Sequence, residues 1–97
     1  MTSIRQPLGE AALAAALEGL PRWRLEGAEL LRVVPLAAYG DGPGLVAAIA
    51  QLAEELDHHP VLTLSYGALI VRSCTHTPPG ISELDLELAR GVDALLA

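Results

Sequence analysis

Between Glu54 and Asp85 the chain reads EELDHHPVLTLSYGALIVRSCTHTPPGISELD, a stretch that holds all three histidines, the one cysteine and one of the two tyrosines. An imidazole takes up and releases protons near neutral pH, so three of them in so short a segment form a candidate proton-transfer centre. His58 and His59 are adjacent and followed at once by Pro60, and His76 comes later in the same stretch. The plainer reading is that His58 and His59 sit at a helix C-terminus, where an imidazolium favours the helix dipole. Glu54 stands four residues before His58, and Glu55 four before His59, the spacing of side-chain pairs on one helical face. Adjacent residues cannot point the same way on a regular helix. One histidine is therefore expected to look into the fold and the other along its edge.

Other chemistries fit the residues less well. His58, His59, His76 and Cys74 are zinc ligands by type, but adjacent histidines seldom share one ion, and no CxxC or HExxH motif is present. No metal is expected. Cys74 falls in a strand pattern, where a cysteine is more often a small apolar residue than a nucleophile. Arg72 reads as a solvated strand charge, with anchoring of a polar ligand as the alternative. Capping of the last helix is a sufficient explanation for Asp85. Trp23 and Tyr66 read as packing residues.

The elements that must position these residues follow from periodicity. Ala12, Leu13, Ala16, Leu17 and Leu20 recur at helical spacing over 8–20, with Pro7 suited to the first turn and Gly19 and Pro21 closing the helix. Trp23 to Leu25 is a short extended piece, and ELLRVVP over 29–35 is a strand. Both faces of that strand are apolar, Leu31 and Val33 on one and Leu30 and Val34 on the other, which hints at an oligomer interface. A second helix is expected over 44–58 behind Asp41, with Leu45, Ala48, Ile49, Leu52, Ala53 and Leu56 as its stripe. Strands over 61–66 and 69–75 follow, joined at Gly67 and Ala68, with Ile70, Arg72, Cys74 and His76 on one side. A loop over 77–81 leads to a helix capped by Ser82, its inner stripe made by Leu84, Leu88, Ala89, Val92, Leu95 and Leu96. The order α-β-β-α-β-β-α predicts an α+β fold, a four-stranded antiparallel sheet with helices packed on one face.

Composition limits the partners. At 97 residues the chain holds one domain, residues 1–97, with one core, and 52% hydrophobic content argues against disorder. The formal charge of −6 opposes nucleic acid as the main partner. The absence of a long apolar run speaks against membrane insertion. A single cysteine forms no internal disulfide, and the start MTSIRQPLGE lacks an apolar signal segment, so a cytoplasmic location is expected. With no Phe and three aromatic residues in all, the core must be built from Leu, Val, Ile and Ala.

The combination of Glu54, His58-His59-Pro60, Tyr66, His76 and Asp85, with the Trp23 strand before it and GISELDLELA after it, resembles the pterin-4a-carbinolamine dehydratase family over nearly the whole chain. The resemblance implies dehydration of a 4a-hydroxytetrahydropterin to the quinonoid dihydropterin without metal or cofactor. It further implies His58 and His76 as the acid–base groups, His59 as a substrate-binding residue, Asp85 as a group that orients or polarises the site, and Glu54 as a supporting partner. Homodimers or homotetramers are implied as well. The chain departs from the family pattern at Leu62, where an aromatic residue is usual, at Gly67, where Asn is common, and in the strand before the central helix, which has no Phe. These departures open a second expectation: a non-catalytic assembly factor of the same fold, such as one acting on Rubisco in α-carboxysome-forming bacteria, with Leu62, Leu64 and the Leu30/Val34 edge as its protein-binding surface.

Overall fold

The computed structural model describes residues 4–97. Helix α1 (Glu10–Glu18) is followed by strands β1 (Arg24–Glu26) and β2 (Glu29–Pro35), helix α2 (Gly42–Leu56), and strands β3 (Val61–Ser65) and β4 (Ala68–Ser73). A small pair of strands, β5 (Thr75–His76) and β6 (Pro79–Gly80), then leads into helix α3 (Glu83–Leu96). The four long strands form one antiparallel sheet in the order β1-β2-β4-β3, so the fold is α+β as the element order predicts.

Alternation along the strands decides what the sheet buries. Leu30, Val34, Leu69 and Val71 are buried, and Leu62 and Leu64 pack half-buried against the same cluster, which contains Ile49 of α2 and Leu86, Leu88, Ala89 and Val92 of α3. The helices therefore cover this one face. Leu62, Leu64, Leu30 and Val34 are core residues, so the surface expected for a protein partner is turned inward. On the other face Val33 and Val61 are exposed. Leu31 is buried there because its cross-strand neighbours are Arg24 and Arg72, whose aliphatic stems can lie over it. Arg72 reaches Glu26 and Glu29, both at 3.7 Å, which makes it a strand charge and not a ligand anchor.

Several local expectations are corrected. Tyr66 is 93% exposed at the tip of the β3–β4 hairpin and packs against nothing. Gly67 beside it has φ 91°, a left-handed conformation that glycine and asparagine tolerate best, so Gly in place of Asn suits the turn. Pro7 does not open α1, whose N-cap is Gly9. A 3₁₀ turn over Tyr39–Asp41 precedes α2, and Asp41 makes no side-chain cap bond. The loop over 77–81 is partly ordered by the β5–β6 pair, with the Thr77–Pro78 peptide cis between them.

A polar clamp fastens α3 to the sheet. Asp93 accepts from Trp23 Nε1 at 2.8 Å and pairs closely with Arg32, which is 8% exposed on the helix-covered face. Removing the carboxylate would strand a nearly buried guanidinium and an indole N–H. Asp93→Ala is expected to cost about 3 kcal/mol, a fall in melting temperature on the order of 15 °C. Thermal denaturation checks this, and a change under about 3 °C would show that the clamp carries little energy.

Candidate active site

The site begins where α2 ends. Asp57 adopts φ 50° and ψ 44°, the one left-handed non-glycine among the described residues. Its N–H donates to the Glu54 carbonyl at 3.2 Å and that of His58 to the Ala53 carbonyl at 3.0 Å, a Schellman turn. The helix thus stops at Leu56 and does not reach His58. The turn sends the two histidines different ways, as adjacency predicts: His58 is 6% exposed, while His59 lies outside. It also changes the partners expected from helical spacing. Glu54 meets His59 at 2.7 Å and not His58, because the chain has left the helix before either histidine.

His58 turns in toward Asp85. Its Nε2 lies 2.6 Å from Oδ1 of that carboxylate, which is fully buried. The same oxygen accepts from Ser73 Oγ at 2.5 Å, and Oδ2 accepts from Thr75 Oγ1 and the Ser82 backbone N–H, both at 2.8 Å. Ser82 Oγ lies 2.7 Å from Thr75 Oγ1 and 3.3 Å from Oδ2, so with Thr75 donating to Asp85, Ser82 completes the chain by donating to Thr75. Asp85 is a helix cap, as the sequence suggests, but it is also the centre of a buried polar network. Burial alone would raise its pKa. The bonds from Ser73, the Ser82 backbone, His58 and Thr75 outweigh that and hold it below the ordinary Asp value. An ionised acceptor requires Nε2 of His58 to donate, and no hydrogen bond to its Nδ1 occurs among the described residues.

A pocket of about 380 Å³ opens over this network, lined by His58, His59 and His76 together with Arg5, Asp57, Cys74, Thr75 and Thr77. The three histidines thus converge, Asp85 lies behind the wall, and Glu54 touches the site only through His59. His76 is exposed, with Cys74 Sγ 4.0 Å from both ring nitrogens, too far and too symmetric for a directed bond. Burial, then the charges of Glu29 and Asp85, push the Cys74 thiol up, which keeps it protonated and a poor nucleophile. No group of three His, Cys, Asp or Glu side chains among the described residues is arranged to hold a metal ion.

Sequence reasoning missed Ser73 and Thr75. Their signal was present: the inward positions Leu69, Val71, Ser73 and Thr75 turn from apolar to polar at the level where a buried group must be satisfied. Arg5 lies outside every element read from periodicity, and no pattern pointed to it.

Fold and pocket together define a small α+β domain with a histidine-lined cleft suited to proton transfer. The model for the family described as pterin 4 alpha carbinolamine dehydratase matches residues 6–95. Relatives from Mycobacteroides abscessus and Streptomyces avermitilis, each provisionally named a pterin-4-alpha-carbinolamine dehydratase, are 40% identical. The first alignment covers 89% of this chain and 92% of the relative, the second 93% and 90%. The crystal structure of a transcriptional coactivator/pterin dehydratase from Brucella melitensis superposes with a TM-score of 0.88 at 31% identity, covering 95% of this chain and 100% of that one. The chain belongs to the pterin-4a-carbinolamine dehydratase family.

The Asp85 network makes a stability prediction. Asp85→Ala would leave Ser73, Thr75, the Ser82 N–H and His58 without their shared acceptor, a loss on the order of 3 kcal/mol or more by urea denaturation, with Asp85→Asn milder. Because the folded pKa is depressed, the contribution is present above about pH 4 and is lost as pH falls through the folded value. Wild-type stability should drop below about pH 4, and the slope in that window should flatten in Asp85→Asn. An unchanged slope would remove Asp85 as its source.

Proposed function

We propose that this protein dehydrates a 4a-hydroxytetrahydropterin to the quinonoid dihydropterin. The observation that carries the reading is the convergence of His58, His59 and His76 on one pocket, with His58 tied to a fully buried carboxylate. The reaction removes the N5 proton and the 4a hydroxyl as water, and so needs a base and an acid held on one substrate. Asp85 accepts from Nε2–H of His58, so the neutral ring carries its lone pair on Nδ1, which suits His58 to accept the N5 proton, and the carboxylate faces the positive charge the ring then gains. His76, exposed in the lining of the same pocket, donates to the departing hydroxyl. His59, steadied by Glu54, contacts the substrate at the rim. The pair at the rim is exposed on both sides and contributes little energy by itself, so Glu54 orients more than it stabilises.

Purified protein is expected to accelerate dehydration over the spontaneous rate, with kcat/KM reduced on the order of 10²-fold or more in both His58→Ala and His76→Ala. Acceleration that survives either substitution would remove that histidine from the mechanism. No acceleration by folded wild-type protein would sink the reading.

The same reading includes self-association. Strand β3 forms one edge of the sheet, and its sequence VLTLS carries neither charge nor proline to discourage pairing with another strand. With Val61 of this strand and Val33 of β2 exposed on the face the helices leave open, this supports a homo-oligomer. Sedimentation at micromolar concentration should give a mass that is a multiple of the 10.1 kDa chain, and a 10.1 kDa species alone would overturn it.

A further inference from the structure

We infer that Arg5 is a positioning residue for the histidine turn, holding Asp57 in the left-handed conformation from which His58 and His59 diverge. The guanidinium Nη2 donates to the Asp57 backbone carbonyl at 3.1 Å and lies 3.4 Å from its Oδ2, across 52 residues of sequence. Asp57 is where support is needed. A Schellman turn is most easily made by glycine, and a residue with a β-carbon is strained at φ 50°. The carbonyl that Arg5 holds belongs to the peptide that launches His58, so fixing its orientation fixes the direction in which the His58 side chain leaves the chain.

The segment carrying Arg5 is itself anchored on the other half of the site. Leu8 N–H donates to the Ile81 carbonyl at 2.8 Å, one residue before Ser82 of the Asp85 network. Pro7 sits so close to Gly80 that a β-carbon there would come within 2.9 Å of its ring, and Gly80 has φ 140°. Residues 5–8 therefore span from the turn bearing His58 and His59 to the loop between His76 and Ser82. The strap couples two loops that the sheet alone does not join. Its side-chain end lies in the wall of the pocket.

The kinetic part of this inference rests on the dehydratase reading, and the structural part does not. The test is a set of histidine ring and backbone amide NMR spectra for wild type, Arg5→Ala, Asp57→Gly and the double variant, with steady-state kinetics alongside. Glycine adopts the left-handed turn without strain, so Asp57→Gly should make Arg5 dispensable. Arg5→Ala is expected to move the His58 and His59 signals and to lower kcat about tenfold with KM little changed. Adding Arg5→Ala to Asp57→Gly should do neither. Unmoved histidine signals in Arg5→Ala would overturn the inference, as would a shift that persists undiminished in the Asp57→Gly background. A rise in KM with kcat intact would also overturn it, by making Arg5 a direct substrate contact. If wild-type protein shows no dehydratase activity, the NMR comparison still decides the role of Arg5, and only the proposed reaction falls.

Discussion

A buried carboxylate is the constraint on which this structure turns. An ionised Asp85 with no exposed surface would be untenable in an apolar core, since desolvating such a group costs several kcal/mol. It is stable here because four donors meet its two oxygens: His58 and Ser73 on one, Thr75 and the Ser82 N–H on the other. Those donors come from the turn after α2, the end of β4, the start of β5 and the cap of α3. Satisfying one charge therefore fixes four pieces of chain relative to each other. The geometry of the histidine pocket and the stability of this corner of the fold are one requirement, so His58 cannot move without leaving the carboxylate short of a donor.

Two histidine–carboxylate pairs lie within a few residues of each other and differ in kind. His58–Asp85 is enclosed and shares a network, so its geometry is enforced from all sides. His59–Glu54 is solvent-exposed on both partners, where an ion pair is screened and contributes at most about 1 kcal/mol. Similar distances, 2.6 and 2.7 Å, thus carry different weight. Environment makes His58 a rigid part of the site and leaves His59 an adjustable one.

Much of this was legible in the sequence, for identifiable reasons. Aliphatic, β-branched runs in β2 and β4 and the helical stripes of α2 and α3 made the elements legible, because burial is what those patterns encode. The capping box from Ser82 to Asp85 was readable because its spacing is local. The bond between Asp85 and His58 was not readable from spacing. It closes 27 residues through tertiary packing, and the family resemblance went only as far as giving Asp85 a part in orienting or polarising the site. Helical spacing misassigned Glu54 to His58 because it assumed a helix running through His58, whereas Pro60 and the left-handed Asp57 end it earlier. Arg5 was invisible for the converse reason: it acts from an irregular segment, where no period exists to reveal direction.

The departures from the family pattern look different once placed in three dimensions. Leu62 and Gly67 are absent from the pocket wall, Leu62 facing α2 and the core and Gly67 shaping a distant hairpin tip. An aromatic residue lost at position 62 therefore alters packing beneath the helices and removes no wall of the cleft. What surrounds the cleft is polar: three imidazoles and the hydroxyls of Thr75 and Thr77, with Arg5 and Asp57 in the wall bonded to each other. Under the proposed reading, a flat heterocycle bearing ring N–H and carbonyl groups would find hydrogen-bond partners there before aromatic faces. Binding in such a site gains its selectivity from matched donors and acceptors, since each unmatched polar atom costs more than a missing apolar contact. The Phe-poor composition is then a property of the core and leaves the three histidines of the cleft untouched.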